Sequence, residues 1–241
     1  MQPKIRPAEQ KDIPFIAWVQ LQAARSHLTR GFWDIWLQRP EKECLCYLEQ
    51  LAQTPTRSWF HYFAFIVAEL DGRAAAAMCG YDDKELGGEK TVAACQDAVR
   101  MSGWSDAEFL TISERILPVL TCISEPAPGA WIIENVTTLP EFRRRGLADR
   151  LLKETLDIGR SEGYRVGQIS VMIGNTPAQR AYQKAGFKVV DEKRHPDFEK
   201  VVSLVCGDCF ATFKSRSGAR LGRASRAGPL RTPDFRQVPG F

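Results

Sequence analysis

Glu134-Asn-Val-Thr-Thr-Leu-Pro-Glu-Phe-Arg143-Arg-Arg-Gly146-Leu-Ala148 is the most informative run in this chain. It joins an apolar run, Trp131 to Leu139, to a segment in which Leu147, Ala148, Leu151, Leu152, Thr155 and Leu156 fall on one helical stripe. The pattern predicts a strand, a loop and a helix from Arg145 to about Ser161, stopped near Gly163. The first turn of a helix presents N–H groups without intrahelical partners, and with the positive end of the helix dipole these suit a diphosphate. Gly146 lets backbone approach such a guest, small Ala148 leaves room, and Arg143, Arg144 and Arg145 add positive charge. Taken alone, the same residues also describe a solvated basic turn with an ordinary loop glycine.

Outward from this stretch the chain reads as alternating strands and helices. Residues 4 to 6 predict a short strand, Asp12 to Arg25 a helix, and Pro40 opens another helix carrying Leu45, Leu48 and Leu51 on one face. Tyr62 to Leu70 and Arg73 to Gly80 are apolar runs separated by Asp71-Gly72, a two-residue hairpin signal. Residues 82–130 read as a helical insert, with one helix over Thr91 to Met101 and a second opened by the Ser105/Glu108 capping box. On the C-terminal side, Val166 to Ile173 predicts a strand, and Thr176 with Gln179 a capping box whose short helix, with Pro177 at its first position, ends at Gly186. Phe187 to Glu192 and Lys200 to Val205 would close the sheet as a hairpin.

Composition removes several function classes. No apolar run approaches the roughly 18 to 20 residues needed to cross a bilayer, and the chain reads as a cytoplasmic protein. Seven scattered cysteines argue against a disulfide framework; one C-x-x-C (Cys206, Cys209) and one C-x-C (Cys44, Cys46), with three histidines, do not make a tetrahedral zinc site, so no metal is expected. The net charge of +4 is uneven: seven Lys/Arg against one acid lie between Lys214 and the C-terminus, which leaves the rest mildly acidic. The division is a domain over 1–210 and a basic tail over 211–241 that reads as disordered. The tail lacks interleaved aromatics, which disfavours nucleic acid as its partner.

The run from Val136 to Ala148, V-x-x-x-P-x-x-R-x-x-G-x-A, resembles motif A of the GNAT superfamily of N-acetyltransferases, with Ala148 where many members carry glycine. Asn175-Thr-Pro-Ala178-Gln-Arg-Ala-Tyr182-Gln-Lys-Ala-Gly186-Phe187 looks like its motif B, and the resemblance covers about residues 4 to 205. It implies an α/β (α+β) acyl-CoA N-acyltransferase fold: a mixed, mostly antiparallel sheet whose fourth and fifth strands splay apart, flanked by helices. It further implies acetyl-CoA as co-substrate. The pantetheine arm would pair with main chain near Val136 and Thr138, the diphosphate would sit on Arg143, Arg144, Arg145, Gly146, Leu147 and Ala148, and Asn175 would bond the arm.

Acyl transfer to an amine needs a base, a polarised carbonyl and a proton for the departing thiolate. Glu134, read as sharing a strand face with Ile132 and Val136, is the candidate base; the alternative is an exposed or salt-bridged strand carboxylate. The resemblance makes Tyr182 the proton donor to the CoA sulfur, and its alternative is a core tyrosine with a satisfied hydroxyl. The acceptor, a primary amine of a small molecule or peptide, is expected between the region 31–53, the insert and the last hairpin. Trp33, Trp36, Trp59, Phe60 and Tyr62 are either its lining or core, and Asp82, Asp83, Glu85 and Glu89 either attract a cation or are solvated. A homodimer is compatible with the sequence. Rival classes are a non-catalytic acyl-CoA-binding module and a ribosome- or nucleic-acid-associated protein using its tail.

Overall fold

In the computed structural model, residues 3–114, 117–120, 122–194 and 210–216 are described. Seven strands form one sheet: β1 (Lys4–Pro7), β2 (Phe65–Leu70), β3 (Arg73–Asp82), β4 (Ala130–Thr138), β5 (Val166–Met172), β6 (Lys188–Lys193) and β7 (Phe210–Arg216). Their order is β1-β2-β3-β4-β5-β7-β6, antiparallel throughout except for the parallel pair β4–β5. Asp71 and Gly72 both adopt positive φ (53° and 74°), the two-residue turn whose twist matches the strands it joins.

Helix α1 (Ile13–Arg25) covers one face of the sheet, where Ile13, Ile16 and Val19 meet Phe65, Val67, Cys79, Tyr81 and Ile132. Helices α8 (Leu147–Ser161) and α9 (Thr176–Lys184) cover the other, where Leu147, Leu151, Leu152 and Tyr182 meet Ile133, Ile169, Val171 and Phe213. Each large apolar side chain so buried contributes about 1.5–3 kcal/mol. A third core joins α2 (Phe32–Leu37), α3 (Glu41–Leu51) and, from the insert, α5 (Gly88–Met101) and α6 (Asp106–Glu114), and reaches Met172 at the end of β5. The short α4 (Asp83–Leu86) and α7 (Leu117–Leu120) complete the insert. Among the described residues no helix is long and apolar enough to cross a membrane.

Several expectations hold in detail. Ser105 N–H and Oγ donate to Glu108 Oε2 at 2.8 and 3.0 Å while Glu108 N–H donates back to Ser105 Oγ, the reciprocal cap expected at the start of α6. Others are corrected. The tail boundary at 211 is too early, because residues 211–216 are strand, with Ala211 and Phe213 buried against α8 and α9; the alternation that seats Phe213 inward was masked by its basic neighbours. The closing strand expected at Lys200–Val205, the Cys206/Cys209 pair and the remainder of the tail lie outside the described residues. Helix α8 starts at Leu147 and not at Arg145, since Arg144 and Gly146 both take positive φ, which no helix continues through. The α9 cap is Asn175, whose Oδ1 accepts the Ala178 N–H at 3.2 Å; Thr176 is already helical.

Candidate active site

The decisive local feature is in β4. Its first half is zipped on both sides: Ala130 to Ile133 pair with Val166 to Ile169 of β5, and Trp131 to Ile133 also with β3. Beyond Ile133 the β5 pairing stops, although β5 itself continues to Met172, so the two strands part and leave an unpaired edge between them. At the same place the β3 register slips. Cys79 faces Glu134 and Ala77 faces Thr137, so Asn135 and Val136 together oppose Met78, a bulge in which Asn135 adopts φ 56°. Asparagine tolerates this left-handed conformation better than any β-branched residue.

The bulge corrects the expected alternation. Ile132 and Glu134 lie on the α1 face with Cys79, whereas Val136 is shifted to the α8 face with Ile133. Glu134 therefore does not share a face with Val136. The strand is held in this bent course by Thr137, whose Oγ1 donates to the Val19 carbonyl of α1 at 3.3 Å, and by Leu139 N–H donating to the Ala75 carbonyl at 2.9 Å.

Glu134 is half-buried, and desolvation pushes its carboxyl up to about 8. Its charge acts in turn on three neighbours: Cys79, Tyr81 and Tyr182 are all held above their ordinary values, first by burial and next by Glu134. Tyr182, 5% exposed, comes from the opposite face, its ring edge-on to Phe213 at 5.9 Å and beside Phe187 at 6.3 Å. The core alternative for Tyr182 is thus correct for the ring, while the phenol stays protonated within electrostatic reach of Glu134. The carboxyl and the phenol come from opposite faces of the sheet and are coupled electrostatically.

Past the strand, Arg143 Nε donates to the Thr138 carbonyl at 3.3 Å, and Arg145 lies over the Phe142 ring at 5.4 Å. Arg143, Arg144, Arg145 and Gly146 are exposed. Gly146, at φ 71°, is the residue before α8, its side-chain direction is open for at least 4 Å, and no side chain caps the helix. Val136 and Thr138 lie on the unpaired half of β4, and Leu147 and Ala148 in the first turn of α8. These residues fit a diphosphate with an extended arm: donors and positive charge at the helix end, an open strand edge leading inward.

Asn175 is engaged within the protein, since besides capping α9 its Nδ2 donates to Ser26 Oγ at 2.8 Å. That bond ties the C-cap of α1 to the N-cap of α9. Arg25 fixes the α1 end from the other direction, through Asp34 at 2.7 Å and Glu41 at 2.7 Å. Trp33, Trp36 and Phe60 are buried in the helical core, with Trp59 and Tyr62 partly so; they pack and do not line an opening. Asp82 caps α4 by accepting the Lys84 N–H at 3.2 Å. Among the described residues no group of three metal-ligating side chains occurs.

Asn135, Thr137 and Cys79 belong to the site but do not stand out in the sequence. The one available signal was an asparagine inside a strand pattern, which marks a bulge.

Comparison with known proteins agrees with this geometry. The family model described as "Acetyltransferase (GNAT) family" matches residues 29–187. A mycothiol acetyltransferase of Corynebacterium glutamicum is 35% identical over 96 residues, 40% of this chain and 32% of that protein, so the match spans about a third of that relative's length. A crystal structure of an acetyltransferase superposes with a TM-score of 0.63 at 20% identity, covering 88% of this chain and 98% of that one. The structure of yncA from Salmonella typhimurium with its cofactor acetyl-CoA superposes with a TM-score of 0.50 at 16% identity, covering 94% and 100%. With the family model spanning well over half of its length, and with a mixed sheet parted between β4 and β5, the chain belongs to the GNAT acetyltransferase family.

Proposed function

We propose that this acetyltransferase moves an acetyl group from acetyl-CoA to a primary amine of a small molecule or peptide by direct attack in a ternary complex. The observation that carries the reading is the placement of Glu134 and Tyr182 on opposite faces of the sheet, both at the parting of β4 and β5. Glu134, titrating near 8, takes the proton that the amine loses as its nitrogen attacks the thioester carbonyl. Tyr182, protonated at all working pH values, gives its proton to the sulfur as the carbon–sulfur bond breaks. Main-chain N–H groups on the open half of β4 supply hydrogen bonds to the carbonyl oxygen as it gains charge. Gly146, Leu147, Ala148 and the three arginines before them hold the diphosphate, and the unpaired β4 edge near Val136 and Thr138 aligns the arm. Asn175 keeps the β5–α9 turn in place and retains one amide hydrogen for the arm. The reading takes the cytoplasm as the place of the reaction.

Thiol release from acetyl-CoA, measured against amino acids, polyamines, aminoglycosides and peptide N-termini, tests the reading. Amine-dependent release is the expected result. CoA binding without release on any acceptor supports the non-catalytic alternative and overturns the enzyme reading.

A further inference from the structure

The acceptor reaches Glu134 from the α1 face, so the groups beside Glu134 on that face decide which amines fit. Strand pairing places them in rungs. Met172 pairs with Phe210, Ser170 with Thr212, and Gln168 with Lys214, and these three rungs of β5 and β7 share the face of Ile132 and Glu134. The outer two rungs are closed. Met172 is buried in the helical core, with Phe210 packed against it. Gln168, buried, accepts the Ala127 N–H at 2.9 Å and donates to the Glu125 carbonyl at 3.2 Å, so the returning end of the insert lies over it.

The rung between them is different. Thr212 is 1% exposed, yet among the described residues its Oγ1 has no hydrogen-bond partner. An unpaired buried hydroxyl is unfavourable, because it has given up its bonds to water without replacing them. Ser170 beside it is only partly buried. Continuing the register past Ile133 and Ile169 makes Glu134 and Ser170 the first couple that the parted strands leave unpaired. Ser170 thus stands across the opening from Glu134, with Thr212 sealed behind it, and cross-strand Cβ atoms about 5 Å apart let the two hydroxyls bond after a rotamer change.

We propose that Ser170 is an acceptor-recognition residue and Thr212 its positioning residue, and that the acceptor is a primary amine bearing a hydroxyl or carbonyl oxygen three bonds from its nitrogen, on the adjacent carbon. The inference rests on the acetyl-transfer reading above. The amine meets Glu134, the neighbouring oxygen meets the Ser170 hydroxyl, and Thr212 completes the chain by donating to Ser170 Oγ. An amine without that oxygen leaves the Ser170–Thr212 pair unsatisfied, and for this reason is used less well.

The test is acetyl transfer to matched amines, 2-aminoethanol against propylamine and 2-aminocyclohexanol against cyclohexylamine, with CoA binding by calorimetry run on every variant. The wild-type protein should prefer the hydroxylated member of each pair by about 10-fold in kcat/KM. Ser170→Ala should reduce that ratio to about 1. Thr212→Val should reduce it part of the way, through KM and not kcat, with Thr212→Ser restoring it. If Ser170→Ala no longer binds CoA, Thr212→Val and its serine rescue decide in its place. A wild-type ratio near 1, or an unchanged ratio in Ser170→Ala, overturns the inference while leaving the acetyl-transfer reading standing. CoA binding with no transfer to either member of either pair, or to the wider amine panel, overturns both.

Discussion

The two halves of β4 differ in how the sheet completes them. Trp131 to Ile133 are paired on both sides and supply apolar side chains to both faces, while Glu134 to Thr138 are paired on one side, bulged at Asn135 and lined mostly with polar groups. A strand that satisfies every backbone group within the sheet contributes stability and offers a ligand nothing. One that leaves an edge open gives up ladder bonds and gains a row of donors and acceptors. Function in this protein occupies the half that the fold leaves incomplete, and the desolvated Glu134 sits at the boundary.

The sharpest break of that comparison is Glu134→Gln, expected to lower turnover by about 10² to 10⁴-fold, the range of a lost acid–base group. In the wild type kcat/KM should rise with pH through a limb near 8, and the variant should lose this limb. Stability has the opposite sign. Because the folded value lies above the unfolded one of 4.5, the native state holds the proton more tightly, and the contribution is complete below about 4.5 and lost as pH rises through 8. Denaturant titrations of wild type and Glu134→Gln at pH 5 and pH 9 should therefore diverge at the higher pH, with the variant the more stable. Equal pH dependence in the two proteins would show that Glu134 is not desolvated.

Ile133→Ala probes the closed half. It removes a fully buried side chain between α8 and the sheet and should cost about 2–5 kcal/mol in a denaturation experiment, with kcat/KM at 25 °C near that of wild type. A large kinetic loss without a stability loss would erase the distinction between the halves. Tyr182→Phe should lower turnover by about 10- to 100-fold with CoA affinity nearly intact, read from single-turnover rates and calorimetry. Unchanged turnover would return Tyr182 to a packing role alone. Smallest is Gly146→Ala: its Cβ meets no atom within 4 Å, so the cost of about 1–2 kcal/mol comes from φ 71° alone and appears as weaker CoA binding or a lower Tm.

How much of this was legible in the sequence follows the same division. The α8 stripe, the Asp71-Gly72 turn and the Ser105/Glu108 cap were readable because each depends on residues close in sequence. The strand–loop–helix carrying Gly146 was readable for the same reason. The bulge was not, since alternation carried through Asn135 places Val136 on the wrong face, and only pairing with β3 shows the slip. Residues 211–216 read as tail because Lys214 and Arg216 resemble the basic run that follows, while the burial of Phe213 depends on β5 and β6 lying on either side. The Ser170–Thr212 rung joins residues 42 positions apart through a ladder no local pattern announces. Asn135, Thr137 and Ser170 are polar residues of ordinary kinds whose roles come from the partners the fold brings to them.

Amide hydrogen exchange along β4, with and without CoA, tests the central claim most directly, because it reads the two halves of one strand in one experiment. CoA binding should add protection from Val136 to Thr138 and change Ile132 and Ile133 little, since these two are already paired on both sides. Protection gained equally along the whole strand, or absent beyond Glu134 while CoA is bound, would contradict it.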